Sequence, residues 1–66
     1  MNKIRGYRNM LGKTQRDMAK IFDISVQAYN KKEHGKISFK DSEKTIFKNM
    51  LLPYFPNITI DDIFFD

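Results

Sequence analysis

The chain has no cysteine and a single histidine among its 66 residues. That excludes disulfide staples, a thiolate nucleophile and a Cys/His zinc site. Absence of thiols also fits a reducing cytoplasm. The three glycines are scattered, so no glycine-rich phosphate loop exists. No Ser/His/acid arrangement or metal-ligand spacing appears, and Asp61-Asp62 reads as first-turn acids favouring a helix dipole rather than as a catalytic pair. No apolar run approaches the roughly 20 residues that cross a bilayer, and the N-terminus lacks the apolar stretch of a signal peptide. An enzyme is therefore the least expected class. No cofactor, metal, small-molecule substrate or membrane partner is anticipated.

What remains is one small domain, residues 1–66. A chain this short buries only about 60% of its unfolded surface and is marginal alone. Its core must come from six Phe, three Tyr, four Met and the Ile/Leu set, with dimerisation as possible support. Charge is uneven. The first 48 residues hold all twelve Lys and Arg and five of the eight acids, net +7. The rest carries three Asp, no base and several aromatics. A basic front suits a polyanion, against the plainer reading of a lysine-rich solvated surface.

The patterning predicts an all-α chain of five short helices. Ile4, Tyr7, Met10 and Leu11 mark a first helix over residues 2–11, ended by Gly12. Thr14 followed by Asp17 gives a capping-box pattern opening a second helix over 15–22. Met18, Ile21 and Phe22 form its inward face, with small Ala19 allowing another helix close. Ser25 caps a third helix over 26–33, closed by Gly35. Val26 and Tyr29 can share its core face, while Gln27, Asn30 and Lys31 form a polar ridge opposite. Ile37 and Phe39 are expected to tuck under the core. A fourth helix over 42–51 carries Ile46, Phe47, Met50 and Leu51, and Pro53 and Pro56 forbid its continuation. Residues 57–59 read as extended or turn. Thr59 with Asp62 caps a last helix over 60–64 bearing Ile60, Ile63 and Phe64.

Residues 14–35 resemble the helix-turn-helix family of lambda-repressor and Cro-type (XRE) regulators. Thr14-Gln15, Ala19, Ile24-Ser25 and Glu33-x-Gly35 stand where that family has Thr/Ser-Gln, a small residue, Val/Ile-Ser and Glu-x-Gly. The tail from Ile58 to Phe65 is similar to the endings of small phage members of the family. The resemblance implies a lambda-repressor-like DNA-binding domain with its helix-turn-helix at helices 2–3, closest to minimal Cro-like regulators. Three departures stand out. Asp23 replaces the turn glycine, where a left-handed backbone carries a cost. Tyr29 replaces Ile or Val, and its hydroxyl needs a partner. Lys32 replaces Trp or an aliphatic residue, with its stem expected on the core edge and its ammonium in water.

On that resemblance the third helix reads DNA bases. Gln27 suits adenine, Lys31 guanine, and Asn30 base or phosphate. Val26 either meets a thymine methyl or faces the core. Gln15 is expected on a phosphate at a helix N-terminus, with Lys13, Arg16, Ser25, His34, Lys36 and Lys40 as further phosphate contacts. Arg8 and Glu33 form a structural salt bridge that orients the reading helix. Tyr54, Phe55, Phe64 and Phe65 either form a dimer surface or close the core. The implied function is a sequence-specific, double-stranded DNA-binding repressor of a phage or mobile element. It would act in the bacterial cytoplasm or nucleoid, as a homodimer on a pseudo-palindromic operator. The alternative is an antitoxin or anti-repressor module working through a protein partner at the aromatic tail.

Overall fold

A computed structural model describes residues 2–65. Five helices follow in order: α1 Lys3–Met10, α2 Gln15–Phe22, α3 Val26–Glu33, α4 Asp41–Leu51 and α5 Ile60–Phe64. No strand occurs among the described residues, so the fold is all-α. α2, α3 and α5 have the bounds the sequence predicts. α1 is one residue shorter at each end, because Asn2 serves as its N-cap, accepting from the Arg5 N–H at 3.1 Å. α4 begins one residue early, at Asp41. Residues 57–59 make a turn, closed by the Ile58 N–H donating to the Phe55 carbonyl.

Local chemistry fixes the helix ends. Thr14 and Asp17 exchange side-chain bonds with each other's backbone N–H at 3.0 and 2.9 Å, and Thr59 and Asp62 do the same at 3.1 and 3.0 Å. Three successive helices then terminate alike. The residue after the last turn adopts positive φ, at Gly12, Asp23 and Gly35 (71°, 57° and 80°). The next N–H reaches back five residues: Lys13 to Arg8, Ile24 to Ala19, Lys36 to Lys31. This closure satisfies carbonyls the helix end would otherwise orphan. At position 23 an aspartate does what glycine does at the other two.

α2 packs on α3, and α5 on both α1 and α4. Ile4, Met18, Ala19, Phe22, Tyr29, Phe47, Leu51, Ile58 and Ile63 form the buried core. Rings run through it: Phe22 lies 6.0 to 6.5 Å from Tyr29, Phe39 and Phe47, and Phe64 lies 5.1 Å from Phe39 and 5.8 Å from Phe47. Such pairs add about 0.5–1.5 kcal/mol each beyond area burial.

Three residues expected inside are exposed, Met10, Ile21 and Ile37, and so is Val26, for which the core was one of two expected places. On α2, Ile21 falls about 100° around the helix from the arc of Met18, Ala19 and Phe22. Met10 is displaced similarly from Ile4 and Leu11. In the loop before α4 only Phe39 reaches the rings. No helix among the described residues is long and apolar enough to cross a membrane.

Candidate nucleic-acid interface

α3 has two unlike sides. Tyr29, Lys32 and Glu33 lie on one side and are buried; Gln27 and Lys31 lie nearly opposite and are exposed. Val26 and Asn30 occupy the flank between. Val26 faces outward, so its core role is excluded.

The buried side is held by two ion pairs. Arg8 of α1 grips Glu33 with both arms, Nε donating to Oε2 at 2.8 Å and a terminal nitrogen to Oε1 at 3.0 Å. Its other terminal nitrogen donates to the Lys13 carbonyl at 2.9 Å, beyond the end of α1. The Glu33 side chain is 1% exposed. Burial alone would raise its carboxyl pKa, but hydrogen bonds from Arg8 outweigh this and hold it below the usual carboxylate range. Asn2 Nδ2 donates to the Glu33 carbonyl at 2.8 Å, a further tie from the start of α1 to the end of α3.

The second pair corrects an expectation. The Lys32 ammonium is not in water. Nζ donates to both oxygens of Glu43 on α4, at 2.6 and 2.8 Å, with side chains only 7% and 4% exposed. Lys32 lies at one edge of the inner arc, beside Tyr29, and its ammonium is kept from solvent because α4 brings the Glu43 carboxylate to that edge. Glu43 Oε1 also accepts from the Lys40 N–H at 2.9 Å, capping α4. Its carboxyl is pushed up by burial and, more strongly, down by Lys32 and the Lys40 N–H. Neither this capping role of Glu43 nor its partner eleven residues away was read from the sequence, since the residue at the N-cap is a lysine.

Tyr29 lies beside the first pair. Burial, and next the Glu33 carboxylate, push its phenol pKa well above the usual range, so it is neutral; its hydroxyl lies beside Glu33 and Arg8 but makes no bond of regular hydrogen-bond geometry. The need for a partner raised by its sequence position is not met.

Between α2 and α3 a polar bridge forms. Asn30 Nδ2 donates to Gln15 Oε1 at 3.2 Å, and Gln15 Nε2 donates to Glu33 Oε1 at 3.4 Å. Gln15 and Asn30, assigned separate roles in the sequence, are thus in contact. Among the remaining candidates, Lys13, Arg16, Lys36 and Lys40 are exposed. The Ser25 hydroxyl accepts from the Ala28 N–H at 3.0 Å as the α3 cap. His34 Nδ1–H donates to the Asn30 carbonyl at 2.8 Å at the other end. Among the described residues no three His, Asp or Glu side chains converge as a metal site requires.

The tail aromatics divide. Phe64 does not belong to an exposed dimer surface: it is half-buried between Phe39 and Phe47, because it follows Ile63 onto the inner side of α5. Tyr54 and Phe65 are 64% and 55% exposed, and Phe55 is exposed while its edge meets Tyr7 at 6.1 Å. These three line an open groove of about 1140 Å³ with Lys3, Tyr7 and Ile58. None of its lining comes from α2 or α3.

Comparison with protein-family models, curated proteins and solved structures returns no match for this chain.

Proposed function

We propose that this protein is a sequence-specific, double-stranded DNA-binding transcriptional regulator of the lambda-repressor/Cro type, with α3 as its reading helix. The observation that carries the reading is the division of α3. Two buried ion pairs anchor it from behind, and the exposed Gln27–Lys31 ridge in front has no side-chain bond to another group among the described residues. A rigid helix with outward amide and ammonium groups has the donors and acceptors that major-groove base edges match. The net charge of +4 and the exposed Lys13, Arg16, Lys36 and Lys40 supply phosphate contacts. Binding occludes a promoter in the bacterial cytoplasm; no chemistry is involved.

Tyr54, Phe55 and Phe65 supply a surface for a second copy. The protomer measures 30 × 23 × 22 Å, close to the roughly 34 Å between successive major-groove half-sites, so two copies can read a pseudo-palindrome. The same groove favours a second reading, an antitoxin or anti-repressor module that grips a protein partner there.

Selection from a randomised duplex library decides between them. The expected result is one enriched pseudo-palindromic site, lost in a folded Gln27→Ala/Lys31→Ala protein. Affinity should fall with salt at about 0.9 log units per log unit of salt for each phosphate neutralised. A folded wild type that enriches no sequence defeats the proposal and moves attention to the groove.

A further inference from the structure

The side-chain bridge between α2 and α3 has a direction. Arg8 can only donate, and the Glu33 carboxylate can only accept. Glu33 therefore demands a donor from Gln15, and Nε2 must face it. That leaves Gln15 Oε1 on the other side, which can only accept. Asn30 must in turn offer its Nδ2. An amide orientation is ordinarily a free choice between two flips. Here the ion pair at one end of the chain of bonds fixes both amides.

The outward remainder follows. Asn30 Nδ2 carries two protons, and one goes to Gln15. Its Oδ1 accepts from no group among the described residues, and a bond to Gln15 through the amide proton trans to Oδ1 leaves the cis proton beside that oxygen. An acceptor and a donor side by side match the N6 amino group and N7 of adenine, not guanine, which shows two acceptors in the groove.

We infer that the Arg8–Glu33–Gln15–Asn30 relay sets base choice. Asn30 reads an adenine, and Gln15 is a positioning residue that fixes the face Asn30 presents without touching a base. This rests on the DNA reading above and adds to it a base identity and a specificity role for a residue of α2. Gln15 keeps a second Nε2 proton, so it can contact a phosphate as well.

The test uses the full chain in the duplex selection, comparing wild type, Asn30→Ala and Gln15→Leu, each first checked for folding by circular dichroism. One adenine position per half-site should lose its preference in Asn30→Ala, by about fivefold to a hundredfold, while other positions hold. Gln15→Leu should flatten the same position at least about fivefold in addition to any uniform loss of affinity. A Gln15→Leu protein that loses affinity equally for all sequences makes Gln15 a phosphate contact only and overturns the relay. A guanine or cytosine at the Asn30-dependent position overturns the base assignment. NMR of the free protein tests the relay without DNA: the Asn30 side-chain amide signals should shift and exchange faster in Gln15→Leu. Unchanged signals overturn it even where DNA binding stands. A wild type that enriches nothing while those signals do shift defeats the DNA reading, and the base assignment with it, and leaves the bridge intact.

Discussion

Replacing Lys32 with methionine isolates the contribution of the ion pair that the sequence hid. Methionine keeps most of the stem that packs beside Tyr29 and removes the ammonium. The Glu43 carboxylate, 4% exposed, is then left with only the Lys40 N–H. Breaking one side of a buried pair costs about 3–5 kcal/mol, because the remaining charge stays desolvated. In so small a domain water lies close to every side chain, so the lower end, about 3 kcal/mol, is the better figure. Total stability for 66 residues is of order 3–10 kcal/mol, so the unfolded fraction rises by about two orders of magnitude. Urea unfolding followed by circular dichroism at pH 7 should show a midpoint lower by about 2–3 M, for a slope near 1 kcal/mol/M. Adding Glu43→Gln should recover more than half of the loss, since the amide oxygen still caps α4 and no charge remains buried. A loss below about 1 kcal/mol for Lys32→Met would refute the reasoning, by showing that Glu43 finds water or another cation.

Three further outcomes follow from the same geometry. Tyr29→Phe removes a buried hydroxyl that lies beside Glu33 and Arg8 without regular hydrogen-bond geometry, so unfolding should show it neutral to about 1 kcal/mol more stable, and a loss of more than about 1 kcal/mol would show that the hydroxyl bonds to Glu33. Asp23→Gly relieves a left-handed backbone at φ 57° and should raise stability by up to about 1 kcal/mol in the same assay; a destabilised protein would mean the Asp23 side chain contributes more than the strain costs. Glu33, Glu43, Asp17 and Asp62 all have lowered carboxyl pKa values in the folded chain. The unfolded chain therefore binds protons first. Their contribution is complete above the ordinary carboxylate pKa of about 4 and is lost as pH falls through the lower folded values. Melting temperature should be level from pH 7 to 5 and drop below about pH 4, and a flat profile down to pH 2 would contradict the four shifts.

The sequence by itself determined the helices and their ends. Caps at Thr14, Ser25 and Thr59 and the positive-φ closures at Gly12, Asp23 and Gly35 act over at most five residues, so their signals lie within one window of the chain. Periodicity likewise placed Met18, Phe22, Phe47 and Leu51 in the core. The Arg8–Glu33 pair was legible because a known pattern suggested it. Tertiary structure alone decided what depends on which helix meets which. Phe64 became a core ring because Phe39 and Phe47 arrive on either side, and Ile21 and Val26 stayed outside because no helix covers them. Lys32 was buried because α4 brings a carboxylate to it, and the two amides were oriented because α1 sets a fixed charge at the end of their chain of bonds. Partners 11 to 25 residues apart leave no periodic trace in a sequence, because each residue type is compatible with many neighbours and only the packed arrangement selects one.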